Sequence, residues 1–337
     1  MNTRGGRNNT PSVTLASEGV SVCMIVRNEA ALLPGCLDSV QGLADEIVIV
    51  DTGSDDDTIA IAESYGATVI TGGDRMHKAQ ARNLGLDIAS KKWIVSIDAD
   101  ETITNPLELR HQLNDTDAIA LYVRLSYMDE NNNPTMTFSP LRCWQNGSFR
   151  YKYRCHEIPV PIGGPKLAQM AGVTLEHRPP KARDEWKLQY GLDRLLLDIE
   201  ENPGDPRPVY YLGRQYMYMK QYTNAIAVTQ KYIAMGGGVD IADAWFNISR
   251  CYNEMGEPTH KNRIAALHQA CATAPNRREF WGILSGAYWQ MEQTEVAIGL
   301  LRMALSLPMP ETGQVQHGWY GGKPFEILEQ WESSMQH

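Results

Sequence analysis

The sequence has no apolar run that approaches the roughly 20 residues needed to span a bilayer, so we predict no membrane span. It has no excess of positive charge either: a formal net charge of −9 argues against a general nucleic-acid coat, although a local basic groove would still fit. Its six cysteines have no CxxC spacing, and several stand in apolar patterns, which predicts free thiols in a reducing cytoplasm. Residues 1–18 are polar and contain no signal-peptide core, so we expect a disordered lead-in.

Phosphate-binding glycine loops are also missing. Neither a G-x-x-x-x-G-K-[ST] loop nor a G-x-G-x-x-G turn follows the first apolar run, which excludes the P-loop and the dinucleotide fingerprint. If the protein binds a diphosphate, the negative charge must therefore be neutralised by a metal ion and by cationic side chains.

Four apolar runs in the N-terminal part predict buried strands, and helical patterns separate them. The runs are residues 20–26, 46–50, 67–70 and 93–97. This alternation predicts an α/β domain with a mostly parallel, Rossmann-like sheet that has helices on both faces.

Polar clusters follow three of these runs, at the point where each predicted strand ends. Asn28 and Glu29 follow the first run, Asp51 the second, and Asp98 and Asp100 the fourth. In a parallel sheet these ends lie at one edge, where the ligands of such folds bind. The sequence therefore predicts one site built from all three clusters.

The acids after the fourth run suit a hard divalent cation that carries a diphosphate. Side chains alternate along a strand, which would place Asp98 and Asp100 on one side and turn Glu101 away, toward helix capping or support of the site. The other interpretation is a turn with acidic caps before the next helix. Asp51 could accept hydrogen bonds from a uracil or a ribose, or cap the helix that follows it. Arg82 could reach the base or a phosphate, or be an ordinary solvated arginine.

Four segments in this order resemble family-2 glycosyltransferases of the GT-A fold: CMIVRNE at 23–29, IVIVDTGS at 47–54, ARN at 81–83 and WIVSIDADE at 93–101. The resemblance covers roughly residues 20–180. It implies a nucleotide-sugar donor, with a UDP-sugar favoured, a D-x-D motif at Asp98 and Asp100 that binds Mn²⁺ or Mg²⁺, and inversion at the anomeric carbon. By the same match Asp51 and Arg82 would hold the nucleoside, in a pocket lined by Val26, Asn28 and Glu29.

An inverting transfer needs a base that takes the proton of the acceptor. Glu157 is the candidate, because many proteins that resemble this chain carry a His-Glu pair after an aromatic-basic strand. Glu157 could instead only orient His156 or Arg154, and Asp129 is the alternative base. Asp100 is grouped with the catalytic residues through its metal role. His177 ends a final short strand, where similar enzymes often have a third metal ligand; a lone histidine is equally a packed residue.

The C-terminal half contains a repeat. Tyr216, Tyr252 and Tyr288 are spaced by 36 residues, and Leu212-Gly213 stands where a tetratricopeptide repeat has its Leu-Gly. Small residues fill the matching position of each second helix: Ala225, either Ala265 or Ala266, and Ala297. We therefore predict an all-α helical-repeat (TPR-like) domain. Its concave face would present Tyr218, Asn247, Arg250, Asn253 and Trp289.

The predicted divisions are a lead-in (1–18), a GT-A catalytic domain (19–183), a connecting helix and linker (184–204), helical repeats (205–310) and a capping segment (311–337). The resulting expectation is a metal-dependent inverting glycosyltransferase, similar to bacterial peptide S- and O-glycosyltransferases and to lipooligosaccharide glucosyltransferase-like enzymes. Its repeats would position a peptide, protein or saccharide acceptor, and could pair two copies into a homodimer. The alternatives are transfer to a hydroxymethylated nucleobase of phage-type DNA, and a non-catalytic scaffold. A nucleotidyltransferase should carry a Gly-rich, Lys- or Arg-bearing loop where this chain has Arg27-Asn28-Glu29-Ala30.

Overall fold

The computed structural model describes residues 17–72, 76–164, 166–178, 186–237, 241–256, 260–310 and 314–335. The end of the predicted catalytic domain at 183 and most of the predicted lead-in lie outside these ranges, and the first strand begins at Ser17. No helix within the described ranges combines the length and the apolar character that crossing a membrane would require. All six cysteines are free thiols, as predicted.

The N-terminal domain is a mixed α/β domain. Its elements, in chain order, are β1 (Ser17–Val26), α1 (Leu33–Ser39), β2 (Glu46–Asp51), α2 (Thr58–Ser64), β3 (Thr68–Ile70), α3 (Lys78–Ile88), β4 (Lys91–Ser96), β5 (Glu101–Ile103), α4 (Pro106–Asp115), β6 (Ala120–Met128), β7 (Pro134–Phe138), β8 (Leu141–Gln145), β9 (Phe149–Lys152), β10 (Ile158–Pro161) and β11 (Ala168–His177).

The main sheet has a parallel half and a largely antiparallel half. The parallel half has the order β3-β2-β1-β4 and contains the four predicted strands. Beyond β4 the sheet continues antiparallel through β8, β6 and β7, while β11 lies parallel to β6 and pairs with β5. The register places Val26 opposite Asp51, so the ends of β1 and β2 are level. The carboxyl ends of the parallel strands thus share one edge, as predicted.

Both faces of this sheet are covered. Successive residues of a strand point to opposite faces, and Ile94 and Val95 of β4 accordingly belong to different clusters. Val95 packs in the larger core with Leu33 and Leu37 of α1, whereas Ile94 packs with Leu86 of α3 in the smaller one. The predicted arrangement of helices on both faces is confirmed. It leaves the sheet edge as the place where polar groups can meet.

The C-terminal half is built of helix pairs. Its elements are α5 (Trp186–Glu201), α6 (Pro206–Tyr218), α7 (Tyr222–Ala234), α8 (Ile241–Met255), α9 (His260–Thr273), α10 (Arg278–Gln290), α11 (Thr294–Ser306), β12 (Val315–Gln316), a 3₁₀ turn (His317–Trp319) and α12 (Lys323–Ser334). The pairs α6–α7, α8–α9 and α10–α11 are the three predicted repeats. The small residue of the second pair is Ala266, which is buried, while Ala265 is exposed.

A returning strand joins the last repeat to the N-terminal sheet. β12 pairs antiparallel with the edge strand β7, with Val315 opposite Thr137. The ring of Trp319 then packs over Gly282 of α10, so close that a Cβ atom there would lie 2.1 Å from the ring. The helical repeats are therefore attached to the N-terminal domain at both of their ends, through α5 and through β12.

Candidate active site

The acids of the D-x-D motif lie in a turn and not in a strand. β4 ends at Ser96, and the amide of Glu101 donates to the carbonyl of Asp98 at 3.0 Å, which closes the turn before β5. The alternation that was expected to align Asp98 and Asp100 therefore does not apply. The two side chains meet different partners: Asp98 faces two arginines, and Asp100 faces His177.

Two guanidinium groups hold Asp98. Arg82 Nη2 donates to Asp98 Oδ1 at 2.6 Å, and Arg142 Nη2 lies 3.5 Å from Asp98 Oδ2. Burial acts to raise the pKa of Asp98, but the charges of Arg82 and Arg142 overcome it and hold that pKa well below its ordinary value. Asp98 is therefore ionised, and its charge is shared by two cations.

Glu101 stabilises this turn through its buried carboxylate. Its side chain is 1% exposed, pairs with Arg142 and accepts a hydrogen bond from the amide of Asp98 at 3.0 Å. Burial raises the pKa of Glu101 to about 7, against the opposing charge of Arg142. The expectation that Glu101 caps a helix is wrong, because residue 101 begins β5; its alternative role as support for the site agrees with these contacts.

Glu157 joins the same network from a different part of the chain. Its Oε1 atom accepts from Arg82 Nε at 3.0 Å, and its side chain is 9% exposed. Within the described residues no hydrogen bond is made to its second oxygen, Oε2. Arg82 thus links Asp98 to Glu157, and neither His156 nor Arg154 is the partner of the Glu157 carboxylate.

The segment that carries Glu157 rests on the helical domain. Asp198 of α5, 1% exposed, accepts the amides of Arg154 at 2.9 Å and Cys155 at 3.4 Å. Arg154 also pairs with Glu201, with its Nη2 2.6 Å from Oε1. Two residues of this segment, Tyr153 (φ 72°) and His156 (φ 56°), have the left-handed backbone conformation that side chains disfavour. Such strain persists only where the surroundings over-determine it, and here α5 supplies that constraint.

His177 lies beside Asp100. β11 carries it to Glu101 of β5 and to Tyr127 of β6, whose ring packs edge-on at 4.4 Å between centroids. Its Nδ1 atom is 3.4 Å from Asp100 Oδ1, and it is buried without a hydrogen-bond partner. A buried ring nitrogen of this kind normally has a hydrogen-bond partner, which makes Nδ1 an exception at this end of the site.

The remaining predicted residues gather at the ends of β1 and β2. The carbonyl of Val26 accepts from the amide of Thr52 at 2.9 Å, and Asn28 (φ 57°) accepts from the amide of Asp55 through Oδ1. The amide of Glu29 donates to Thr58 Oγ1 at 2.8 Å. Asp51, 3% exposed, accepts the amides of its own turn at residues 53 and 54, at 2.9 and 3.0 Å, so it does not cap α2.

Sequence reasoning missed Arg142 and Tyr151. Arg142 stands in a short strand among apolar residues, and a charged residue in that position is a signal that could have been used. Tyr151 lies under Arg82, with 5.3 Å between the guanidinium carbon and the ring centroid, and donates to Ser96 Oγ at 2.7 Å. By contrast Asp129, the alternative base, accepts the amides of Asn131 and Asn133 and so closes the turn between β6 and β7.

Two features of this site have no match among its own residues: buried hydrogen-bond donors and an excess of carboxylates. Arg82 Nη1 and Arg142 Nε are buried N–H donors without an acceptor, although buried donors are normally satisfied. The network also holds two more carboxylates than guanidiniums, counting Asp98, Asp100, Glu101 and Glu157 against Arg82 and Arg142. A search of the described residues finds no group of three or more acidic, histidine or cysteine side chains already arranged around one metal position.

Comparison with known proteins agrees with this architecture. Residues 21–171 match the family model of Glycosyl transferase family 2. An uncharacterized glycosyltransferase of Rickettsia felis is 32% identical over 128 residues, which are 36% of this chain and 45% of that protein. A TPR repeat-containing protein of Synechococcus elongatus is 44% identical over 106 residues, 31% of this chain and 26% of that protein. The chain thus spans less than half the length of these relatives.

Among solved structures, MamA of Desulfovibrio magneticus RS-1 aligns with 44% of this chain and 88% of its own, at 19% identity and a TM-score of 0.34. The family match includes the site residues described above except His177, Asp198 and Glu201, which lie after residue 171. The N-terminal domain of this chain, residues 21–171, therefore belongs to glycosyl transferase family 2, and helical repeats of the TPR-like kind follow it.

Proposed function

We propose that this protein transfers a sugar, with inversion, from a nucleotide-diphosphate sugar to a peptide, protein or glycan acceptor, and that a UDP-sugar is the preferred donor. The observation that carries the proposal is the pair of buried, unsatisfied N–H donors, Arg82 Nη1 and Arg142 Nε, beside Asp98. Guanidinium donors fixed in a partly dry site bind phosphate oxygens well. They also stabilise the negative charge that develops on a leaving diphosphate.

The nucleoside would lie over the ends of β1 and β2. Asp51 is held by its own turn, so its carboxylate is pre-oriented to accept from a uracil imide or a ribose hydroxyl. The loop from Val26 to Glu29 is tied to residues 52–58 by five hydrogen bonds that fix the wall of this pocket. A pre-formed pocket reduces the entropic cost of binding.

The residues at the turn fit a divalent cation, Mn²⁺ or Mg²⁺. Asp100 and His177 already converge, the His177 nitrogen lacks a partner, and the site has an excess of carboxylates. Asp98 would complete the set, with Arg82 and Arg142 moving from its oxygens to the diphosphate. When bound, the cation would neutralise the diphosphate charge. An imidazole ligand favours Mn²⁺ over Mg²⁺.

Glu157 is the proposed base. Its Oε1 atom stays on Arg82, which fixes the carboxylate plane, and Oε2 is then available to take the proton from the acceptor. With its Nη atoms on the diphosphate and its Nε atom still on Glu157, Arg82 would set the distance between the donor phosphates and the base. The helical repeats stand next to the Glu157 segment, which is why we assign the acceptor to them.

The donor assignment is tested by binding and hydrolysis of UDP-, GDP- and dTDP-sugars with Mn²⁺. We expect Arg142→Lys, which keeps the charge beside Glu101 but removes the Nε donor, to weaken UDP binding about tenfold. The matched control is Arg150→Lys on β9, an arginine that is 42% exposed and paired with Asp87. If no nucleotide sugar is bound or hydrolysed, the proposal fails.

The base is tested separately. Glu157→Gln should abolish transfer and leave UDP binding unchanged, because the amide still accepts from Arg82 but cannot take a proton. A loss of UDP binding in this variant would instead assign Glu157 a purely structural role.

A further inference from the structure

One face of α6 carries cations that the fold does not neutralise. Within the described residues, neither Arg207 nor Arg214 has a carboxylate within 4.0 Å. The guanidinium groups contact tyrosine rings instead, and both lie over the ring of Tyr211, at 4.9 and 5.6 Å from its centroid. Arg207 Nε is buried without a hydrogen-bond partner. Positive charge held in this way is available to a ligand.

This face begins at the proposed base. The ring of Tyr211 stacks on His156, the residue before Glu157, with 3.8 Å between centroids and 12° between planes. Arg207 Nη2 donates to the carbonyl of His156 at 3.2 Å. From there Arg214 lies two turns further along the helix, a distance of about 10 Å.

The face ends in a polar cavity of about 110 Å³ between α6, α8 and the returning strand. Arg214 and Arg250 line it, together with three carboxamides, Asn247, Gln314 and Gln316. The one carboxylate of the lining, Asp243, is paired with Arg277 at 2.7 Å and does not neutralise these cations. Arg250 is exposed and, among the described residues, has no carboxylate partner.

We propose that this Arg–Tyr face and its cavity bind an acidic polypeptide segment, and that the acceptor is therefore a peptide or protein with carboxylates near the modified residue. Guanidinium forks match carboxylates. Carboxamides, which both donate and accept, match the peptide groups between them. The face has room for about three residues of an extended chain, at 3.3 Å per residue. The identification of the bound peptide as the acceptor rests on the proposed function, whereas the binding of an acidic peptide at this site does not.

The test is fluorescence anisotropy of the full-length protein with a fluorescein-labelled hexaglutamate peptide, without nucleotide sugar. Hexaglutamine is the uncharged control peptide. We expect Arg250→Gln and Arg214→Gln each to weaken hexaglutamate binding about tenfold. Arg302→Gln should leave binding unchanged, because it removes an arginine of α11 that is 63% exposed and is paired with Glu332 of α12.

Equal binding of hexaglutamine, an equal loss in Arg302→Gln, or no loss in Arg250→Gln would overturn the inference. Displacement of the peptide by inorganic phosphate at the concentration of its own glutamates would assign the site to free phosphate and would also overturn it. The thermal unfolding midpoint of each variant shows whether the fold is retained, and Arg250→Gln, at an exposed position, is the variant expected to keep it. Because no donor is present, failure of sugar hydrolysis leaves this result intact and removes only its link to transfer.

Discussion

Asp198 tests whether the helical domain is part of the active site. Its buried carboxylate accepts the amides of Arg154 and Cys155 and lies 3.2 Å from Arg154 Nη1. Asp198→Ala would leave two backbone donors without acceptors, at roughly 1–3 kcal/mol each. The conformation in which the segment of Arg154 and Cys155 rests on α5 should therefore be destabilised by about 3 kcal/mol. At 1.4 kcal/mol for each factor of ten, the population of this conformation, relative to conformations in which the segment has left α5, would fall about 100-fold.

We therefore expect Asp198→Ala to lower kcat by about 10- to 100-fold, because Glu157 is no longer held opposite Arg82. The dissociation constant for UDP should stay within about twofold, because the nucleoside pocket is built from the ends of β1 and β2. Asp198→Asn keeps one carbonyl acceptor for these amides, so it should restore a large part of kcat.

The measurements are steady-state turnover of the proposed UDP-sugar donor, UDP binding and the thermal unfolding midpoint. Asp193→Ala is the matched control, because Asp193 is exposed on the same helix and accepts from Gln189 at 2.9 Å. Turnover of Asp198→Ala equal to that of Asp193→Ala would refute the reasoning. Equal losses of turnover and UDP binding would show that Asp198 supports the fold as a whole.

Two further outcomes follow from the packing. Gly282→Ala should lower the thermal unfolding midpoint, because its methyl group would overlap the ring of Trp319, whereas Gly286→Ala, one turn later with open space around it, should raise stability by about 0.5–1 kcal/mol. Arg110 donates to Asp45, and this hydrogen bond lowers the pKa of Asp45 below its ordinary value of 3.8. A carboxyl group whose pKa is lowered by folding stabilises the fold at pH values above its unfolded pKa, and this contribution is lost as pH falls through the folded pKa. Asp45→Asn should therefore reduce the free energy of unfolding at neutral pH. Urea unfolding should show this difference from the unmutated protein shrinking below about pH 4.

The sequence was sufficient for the parallel half of the fold. Apolar runs end in polar residues there, and parallel pairing brings those ends to one edge of the sheet regardless of the conformation of the loops. It was insufficient for the geometry at Asp98, because the period of two applies only while the backbone is extended. β4 stops at Ser96, two residues before the motif, and no residue pattern marks that point.

Long-range partners were also beyond prediction. Arg82 meets Asp98 across 16 residues of chain and Glu157 across 75, and Arg142 meets Glu101 across 41. A pattern along one segment carries no information about such contacts. The same holds for Asp198, which the sequence offers only as a polar residue of an amphipathic helix. Its 1% exposure in the folded chain is what identifies its role.

The returning strand has a consequence for how the protein is made. β7 is an edge strand until β12 arrives, and 178 residues separate the paired residues Thr137 and Val315. At synthesis rates of roughly 5–20 residues per second, the edge stays unpaired for about 10–35 s after β7 leaves the ribosome. An unpaired edge strand is a template for pairing with other chains. During this interval β7 of the nascent chain is therefore exposed to strand pairing, and so to aggregation, with other unfinished chains nearby.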